Sequence, residues 1–513
     1  MMAATLISRL LGLVRDQVIA YQLGVGVETD AYTAAFKVAD LLMYLVAGGA
    51  LSSTFVPIFK EYLHKNQEKQ AWRMFSVVAT VTVVVATILV GIIEVFPEPF
   101  IRILNSGYDE SRVRLTVPLV RIITPAQIFF MLGGLLMGTL NARGRFLTSA
   151  IAPSVYNLGI IFGAAVLYPT IGLTGLTWGA LLGAVAGSFF LQIGPVIACG
   201  MRFRASLNVF DPGAVKVWKM LLPILLGVSL PNVDQIINGA FASTLPPGSQ
   251  SAMQYAVRLM LIPIGIFAQA MGVALLPSMS GHAAAGHMTA FRSTVNKAIR
   301  IIFFLTIPAS ALLAILAVPC IRVLFEHGHF NDAATLLTAV PLRYYSIGIC
   351  AWSAQAILTR GFYALQDSRT PVITGTIMTV LFIAMNWYIV NGTDWGIGGL
   401  AASTSAAAAL HAVVMYALLR RRVKGLLDWR LMVAFAKIMV ATLALAITTR
   451  VLCVGMDEFL PSDHVKLRAF MILVIAGGAG VAAFIGAARG LKMRELREAI
   501  AMLRRQDIAT QEP

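Results

Sequence analysis

Apolar residues run along this chain in stretches of about 20, separated by short polar segments from one end to the other. A bilayer's hydrocarbon core is crossed by roughly 20 apolar residues in a helix, so each stretch reads as a span. About fourteen are predicted, centred on 5–23, 33–57, 74–96, 114–140, 149–168, 172–198, 217–242, 251–278, 299–324, 336–362, 371–390, 396–419, 431–454 and 467–488. The segments between them alternate in charge. Even-numbered connections carry Lys60, Lys65, Lys69 and Arg73, then Arg143 and Arg145, then Arg202, Arg204, Lys216 and Lys219, and later Arg420, Arg421, Arg422 and Lys424. Odd-numbered ones are short and neutral or acidic, with Glu28 and Asp30, Asp109 and Glu110, Glu326 and Asp332. Basic loops stay on the cytoplasmic side. The pattern therefore predicts an all-α integral membrane protein with an even number of spans and both termini in the cytoplasm.

A weak internal repeat divides the chain. Thr116-Val117-Pro118-Leu119 returns as Ala339-Val340-Pro341-Leu342, Gly138 as Gly361, and Phe55-Val56-Pro57 as Leu275-Leu276-Pro277, all about 220 residues later. Transporters are often built from two such halves. The expected organisation is a six-span lobe over 1–200, a second over 201–424, two further spans in 425–490 and a cytoplasmic tail at 491–513. The tail segment from Arg489 to Arg505 reads as an amphipathic helix on the anionic inner leaflet.

Composition supports this reading. Of 513 residues 58% are hydrophobic and only 12% charged, about half the charged share of a soluble protein. A net charge of +16 would suggest nucleic acid in a soluble chain; here it belongs to the loops, and no nucleic-acid partner is expected. Cys199, Cys320, Cys350 and Cys453 lie far apart in apolar runs and form neither a disulfide framework nor a zinc motif. The first apolar run is interrupted by Arg9 and Arg15 and is followed by no small-residue cleavage site, so it reads as a retained helix. The chain has no G-x-x-x-x-G-K-[ST] phosphate loop and no nucleophile–base arrangement. Neither a nucleotide-driven pump nor an enzyme is expected.

The chemistry lies in charges placed inside spans. Arg9, Arg15, Asp16, Lys37 and Asp40 interrupt the first two, and Arg258 the eighth. Each such charge costs roughly 2.5–3.5 kcal/mol at mid-bilayer, so these residues face protein or water. Arg9 and Asp16 share one helix face, as do Lys37 and Asp40. Two readings stand: buried structural ion pairs, or a polar cavity whose cations hold an anion such as a phosphate or pyrophosphate. Asp30 and Asp40 count as further cavity residues, and Arg258 alone also fits an arginine that snorkels to the interface. Asp234, beside Pro231 in the seventh span, could bind a cation, with Asn386 and Thr404 as added oxygen ligands, or could pair with an arginine. His327 and His329 resemble a metal pair only by spacing. Gly133, Gly134 and Gly138 suit close helix packing.

These residues also carry a resemblance. Ser8-Arg9-Leu10-Leu11-Gly12-Leu13-Val14-Arg15-Asp16, Thr29-Asp30-Ala31-Tyr32, Phe36-Lys37 and the run Gly49 to Pro57 resemble the opening of the MurJ (MviN) lipid II flippases. Tyr255 to Met260 with Pro263-Ile264-Gly265, and Gly361 to Pro371, are similar to later parts of that family, and the resemblance covers nearly the whole chain. It implies the two-lobed fold of the multidrug/oligosaccharidyl-lipid/polysaccharide exporter superfamily. It implies a monomeric flippase that carries undecaprenyl-pyrophosphate-linked peptidoglycan precursor across the bacterial inner membrane by alternating access. Residues matching Arg9, Arg15 and Arg258 would serve the pyrophosphate cavity, with Asp16 and Lys37 beside them. The last two spans would form a groove for the lipid tail. In some members a residue matching Asp234 belongs to a sodium site, together with positions matching Asn386 and Thr404, so Na+ is the coupling ion implied and no other cofactor is expected.

The chain departs from the family pattern in places. Ala39-Asp40 stands for a Pro-Asn pair, Met43-Tyr44 for two arginines, and Gly48 for a glutamate, while Phe382 offers no oxygen at one position of the sodium site. The sequence leaves open whether Arg121, Arg343 or another basic residue replaces the lost pair. The departures keep three other readings in view: a flippase for another polyprenyl-pyrophosphate-linked glycan, an ion-coupled exporter of small cations, and a non-transporting scaffold. The surplus of basic cavity residues argues against the cation exporter.

Overall fold

The computed structural model describes residues 2–45, 48–228, 230–426, 429–459 and 465–498. All regular structure in them is helical. The chain forms two compact units: residues 1–251 with 327–331, and residues 252–326 with 332–513.

The first unit contains α1 (Met2–Leu23), α2 (Val27–Leu45), α3 (Gly48–His64), α4 (Glu68–Val95) and the short α5 (Pro97–Leu104). It continues through α6 (Glu110–Ala142), α7 (Leu147–Ile171) and α8 (Leu173–Ala198) to α9 (Pro212–Val228) and α10 (Leu230–Ser243). Helix α11 (Ser249–Ala284) starts in the first unit and belongs to the second from Ala252 onward. The second unit then runs through α12 (Met288–Ile315), α13 (Ala317–Phe325), α14 (Asp332–Ala364), α15 (Arg369–Gly392), α16 (Gly396–Arg422), α17 (Trp429–Phe459) and α18 (Val465–Gly490).

Among the described residues the predicted stretches fall on helices, and ten of those helices are long and apolar enough to cross a membrane. The expected second span, 33–57, takes a different form. Its helix begins at Val27, so Glu28 and Asp30 form a helical first turn, where carboxylates suit the positive end of the helix dipole. A separate helix begins at Gly48.

The repeat is visible in the elements. Each unit has a 28-residue helix (α4, α12), then a short helix (α5, α13), then a 33-residue helix (α6, α14). Pro118 and Pro341 lie inside these two 33-residue helices. Helices α17 and α18 follow these elements in the second unit. They pack on each other, α17 also against α12 and α18 against α13.

Glycines set how closely α7 and α8 approach. A Cβ on Gly179 would collide with the Gly163 backbone, and one on Gly183 would meet the Tyr156 carbonyl at 2.8 Å. Lipid gives no hydrophobic drive for helix association, so close packing of this kind must hold the pair. Gly179→Ala is expected to cost about 1–3 kcal/mol of stability, read as a lower unfolding temperature in detergent. Gly194→Ala, whose Cβ meets nothing within 4 Å, is expected to cost nothing. Equal falls in the two variants would mean that the glycine contact does not hold α7 to α8. Gly133 and Gly138 on α6 behave as the sequence suggests: a Cβ on the first would press on Ser188 and on the second on Ser52 and Val56.

The start of the tail differs from a helix lying on the membrane. Met493 is buried with Phe304, Ile438 and Phe484, and Leu496 packs against the same cluster. Glu495 lies 3.9 Å from Arg300, and Glu498 lies 3.8 Å from Lys297. Apolar contacts and two ion pairs thus dock this segment on α12. The remainder, 499–513, lies outside the described residues.

Candidate functional site

The polar interior of the first unit has two clusters. In the first, Arg15 reaches from α1 toward α7. Its Nε donates to Asp16 Oδ1 at 2.9 Å, its Nη2 forms an ion pair with the same oxygen at 2.8 Å, and its Nη1 donates to Asn157 Oδ1 at 3.0 Å. Asn157 Nδ2 in turn donates to the Ser8 carbonyl at 3.2 Å. Asp16 is buried at 6% exposure. Charge-assisted bonds of this kind are about twice as strong as neutral ones, so the guanidinium is held in a fixed orientation. Tyr156 lies within electrostatic reach of both Arg15 and the half-buried Asp40, which joins α2 to the cluster. The edge of Phe130 packs on the Tyr156 ring, with centroids 5.2 Å apart.

The second cluster is built on Asp30, 2% exposed. Its carboxylate accepts from the Gly248 amide at 2.6 Å and the Ser251 amide at 2.8 Å, so it caps the first turn of α11. The Gln250 amide donates to the Gly239 carbonyl at 2.6 Å and to Asn105 Oδ1 at 2.8 Å, and Tyr108 donates to Gln250 Oε1 at 2.7 Å. Lys37 belongs here. Its ammonium packs on Gly239, where a Cβ would overlap it, and makes no hydrogen bond among the described residues. Asp30 is the anion whose charge it feels.

Lys37 therefore faces Asp30, seven residues away, rather than Asp40, three away. Spacing put Lys37 and Asp40 on one face and Arg9 and Asp16 on another, but did not decide which partner each one meets. Arg9 is exposed on α1. Met43 is half-buried, while the side chains of Tyr44 and Gly48's surroundings fall outside the described residues. Arg121 donates to the Glu94 carbonyl at 3.2 Å, and Arg343 lines a cavity of the second unit.

The other residues singled out are spread over both units. Asp234 is half-buried on α10 of the first. Arg258 is half-buried on α11, within the second. Asn386 is buried on α15 and accepts from the Ser403 hydroxyl. Thr404 on α16 donates to the Leu400 carbonyl at 2.6 Å. His329 donates its backbone amide to the Tyr21 carbonyl at 2.9 Å, and the described residues contain no cluster of three or more His, Cys, Asp or Glu suited to a metal.

Sequence reasoning missed Asn157, Tyr156 and Gln250, whose only signal was a polar residue in or near an apolar run. It also missed Arg360 on α14, which donates to Gln269 Oε1 at 3.1 Å and packs on Gly272.

A repeated, membrane-spanning helical fold with cations held inside its bundle defines a polytopic membrane transporter. An inward-facing multidrug resistance MATE family transporter of the MOP superfamily shares the fold, with a TM-score of 0.67 over 82% of this chain and 95% of that one at 17% identity. The family model described as lipid II flippase MurJ matches residues 19–471, and the chain belongs to that family. Similar relatives include the probable lipid II flippase MurJ of Vibrio cholerae serotype O1, 33% identical over 81% of this chain and 80% of its own. The lipid II flippase MurJ of Burkholderia cenocepacia is 30% identical over 82% of both chains. A solved lipid II flippase MurJ, in an inward closed conformation, superposes with a TM-score of 0.80 over 95% of this chain and 97% of that one, at 27% identity.

Proposed function

We propose that this chain carries lipid II from the inner to the outer leaflet of the bacterial cytoplasmic membrane by alternating access. Family membership over residues 19–471 carries the reading, and the chemistry of the first unit supports it. A pyrophosphate is a compact anion, and guanidinium groups bind it through paired N–H donors. Arg15 is oriented for such a role by Asp16 and Asn157. Arg9, Lys37 and Arg258 complete the set of cations in this reading, and Asp16, Asp30 and Asp40 keep the unloaded site from carrying an uncompensated charge. The termini lie in the cytoplasm, as the basic loops favour. Helices α17 and α18 accommodate the polyprenyl tail, since Leu443, Ile447, Phe470 and Val474 expose apolar side chains.

The deciding experiment is complementation. A bacterium depleted of its own lipid II flippase should survive when it expresses this chain. Failure of a stably inserted protein would move the cargo to another polyprenyl-linked glycan. Rescue only after Met43→Arg and Tyr44→Arg would assign that change of cargo to these two positions.

Sodium is the proposed coupling ion, with Asp234 supplying charge and Asn386 and Thr404 supplying oxygens. Asn386 and Thr404 carry side-chain oxygens of the kind that coordinate a hard cation, while Phe382 adds none. Replacing sodium by potassium in proteoliposomes should slow flipping by roughly 5- to 150-fold, the span of a typical coupling between two ligands. An unchanged rate would leave the membrane potential or the substrate gradient as the driving force.

A further inference from the structure

We propose that the second unit binds the phosphate of an anionic membrane lipid in a pocket closed by its two C-terminal helices. The pocket lies at the end of the unit away from the basic loop Arg420–Lys424. A cavity of about 250 Å³ there is lined by Arg322, Arg343, Arg450 and Arg468, with Cys453 and Ile472. That is roughly eight times the ~30 Å³ of one water molecule, enough for a phosphate group and its first contacts. Among the described residues no carboxylate lines it. Glu326 and Asp332 both engage Arg322, which fixes that side chain as part of the wall.

The internal repeat shows what is special about this place. Arg102 and Arg121 of the first unit stand 220 and 222 residues before Arg322 and Arg343. In the first unit the Arg102 guanidinium meets Glu110 at 2.5 Å, and Arg121 lies beside Glu94, near enough for its charge to act on that carboxylate. In the second unit the residues about 220 later than Glu94 are Ala314 and Ile315, so the repeat supplies the arginine without that carboxylate. Helices α17 and α18 then add Arg450 and Arg468. The repeated pair of arginines thus becomes a four-arginine pocket only where the extra helices cover it.

Loop topology does not account for these arginines. On the orientation proposed above this is the outer end, where basic residues are disfavoured, and all four lie within helices. Arginine's planar fork suits phosphate oxygens. The surroundings select a lipid as the source of that phosphate. Val451, Val454, Val465 and Phe470 expose apolar side chains on the same helix ends, so acyl chains can lie along the surface beside the pocket. Only the assignment to the outer leaflet rests on the proposed orientation; binding is read without reference to transport.

The test uses the full chain, purified in neutral detergent, and native mass spectrometry. Phosphatidylglycerol and phosphatidylcholine with the same acyl chains are added in parallel, with inorganic phosphate as competitor. Retention of phosphatidylglycerol over phosphatidylcholine is expected. Arg450→Gln with Arg468→Gln should weaken that retention at least about tenfold. Arg450→Lys with Arg468→Lys, which keeps the charge, should bind at an intermediate level and provides the comparison if the glutamine variant does not fold. Equal retention of the two lipids, or retention unaffected in both variants, would overturn the proposal. Displacement by inorganic phosphate at concentrations equal to the lipid would make this a site for a free anion instead.

Discussion

Arg15→Ala is expected to abolish rescue of a flippase-depleted bacterium while the protein remains in the membrane. The guanidinium is placed by an ion pair and a hydrogen bond to Asp16 and a hydrogen bond to Asn157. A charged contact to phosphate is worth about 1.5–3 kcal/mol, so its loss should reduce substrate affinity by roughly 10- to 150-fold. Truncation also takes the guanidinium away from the buried Asp16 carboxylate, a structural cost of about 3–5 kcal/mol when a buried pair is broken. Arg15→Gln with Asp16→Asn separates the two effects. It removes both charges and keeps hydrogen-bonding groups, so it should be folded in detergent yet inactive. Asn157→Ala leaves the charge but removes its seat on α7 and should lower the flipping rate less. Full rescue by Arg15→Ala would remove Arg15 from the substrate path.

The second large effect is expected at Asp30. Asp30→Ala removes the acceptor of two backbone amides, Gly248 and Ser251, and the anion facing the enclosed Lys37 ammonium. Leaving a buried charge uncompensated costs about 3–5 kcal/mol, and each orphaned amide adds about 1–3 kcal/mol. The variant should unfold at a much lower temperature in detergent. Adding Lys37→Met should recover part of the loss, because a neutral side chain of similar length no longer needs the carboxylate. If the double variant is no more stable than Asp30→Ala alone, the two residues are not coupled.

The residues behind these two predictions show how far the sequence could be read. Apolar stretch length predicts helices because every backbone polar group at membrane depth must be satisfied within its own segment. Arg15, Asp16 and Lys37 were legible for the same reason: a charge in a span is too costly to face lipid. The start of α2 was misplaced because Glu28 and Asp30 read as a loop, although the first turn of a helix attracts carboxylates. The pairing of Lys37 with Asp30 was not legible. A lysine stem is long and flexible, so helical spacing gives its face but not its partner.

The sequence by itself determined the helical class, the placement of Arg15, Asp16 and Lys37 away from lipid and, through its motifs, the family. Each follows from local chemistry: the cost of burying charge, the length of an apolar run and the order of residues along one segment. Tertiary structure alone decided that Asn157, 142 residues from Arg15, holds its guanidinium, and that Asp30 caps a helix beginning 219 residues further on. It alone gathered Arg322, Arg343, Arg450 and Arg468 around one cavity. Hydrogen bonds and cavities form between side chains that packing brings within about 3 Å, and distance along the chain carries no record of that packing.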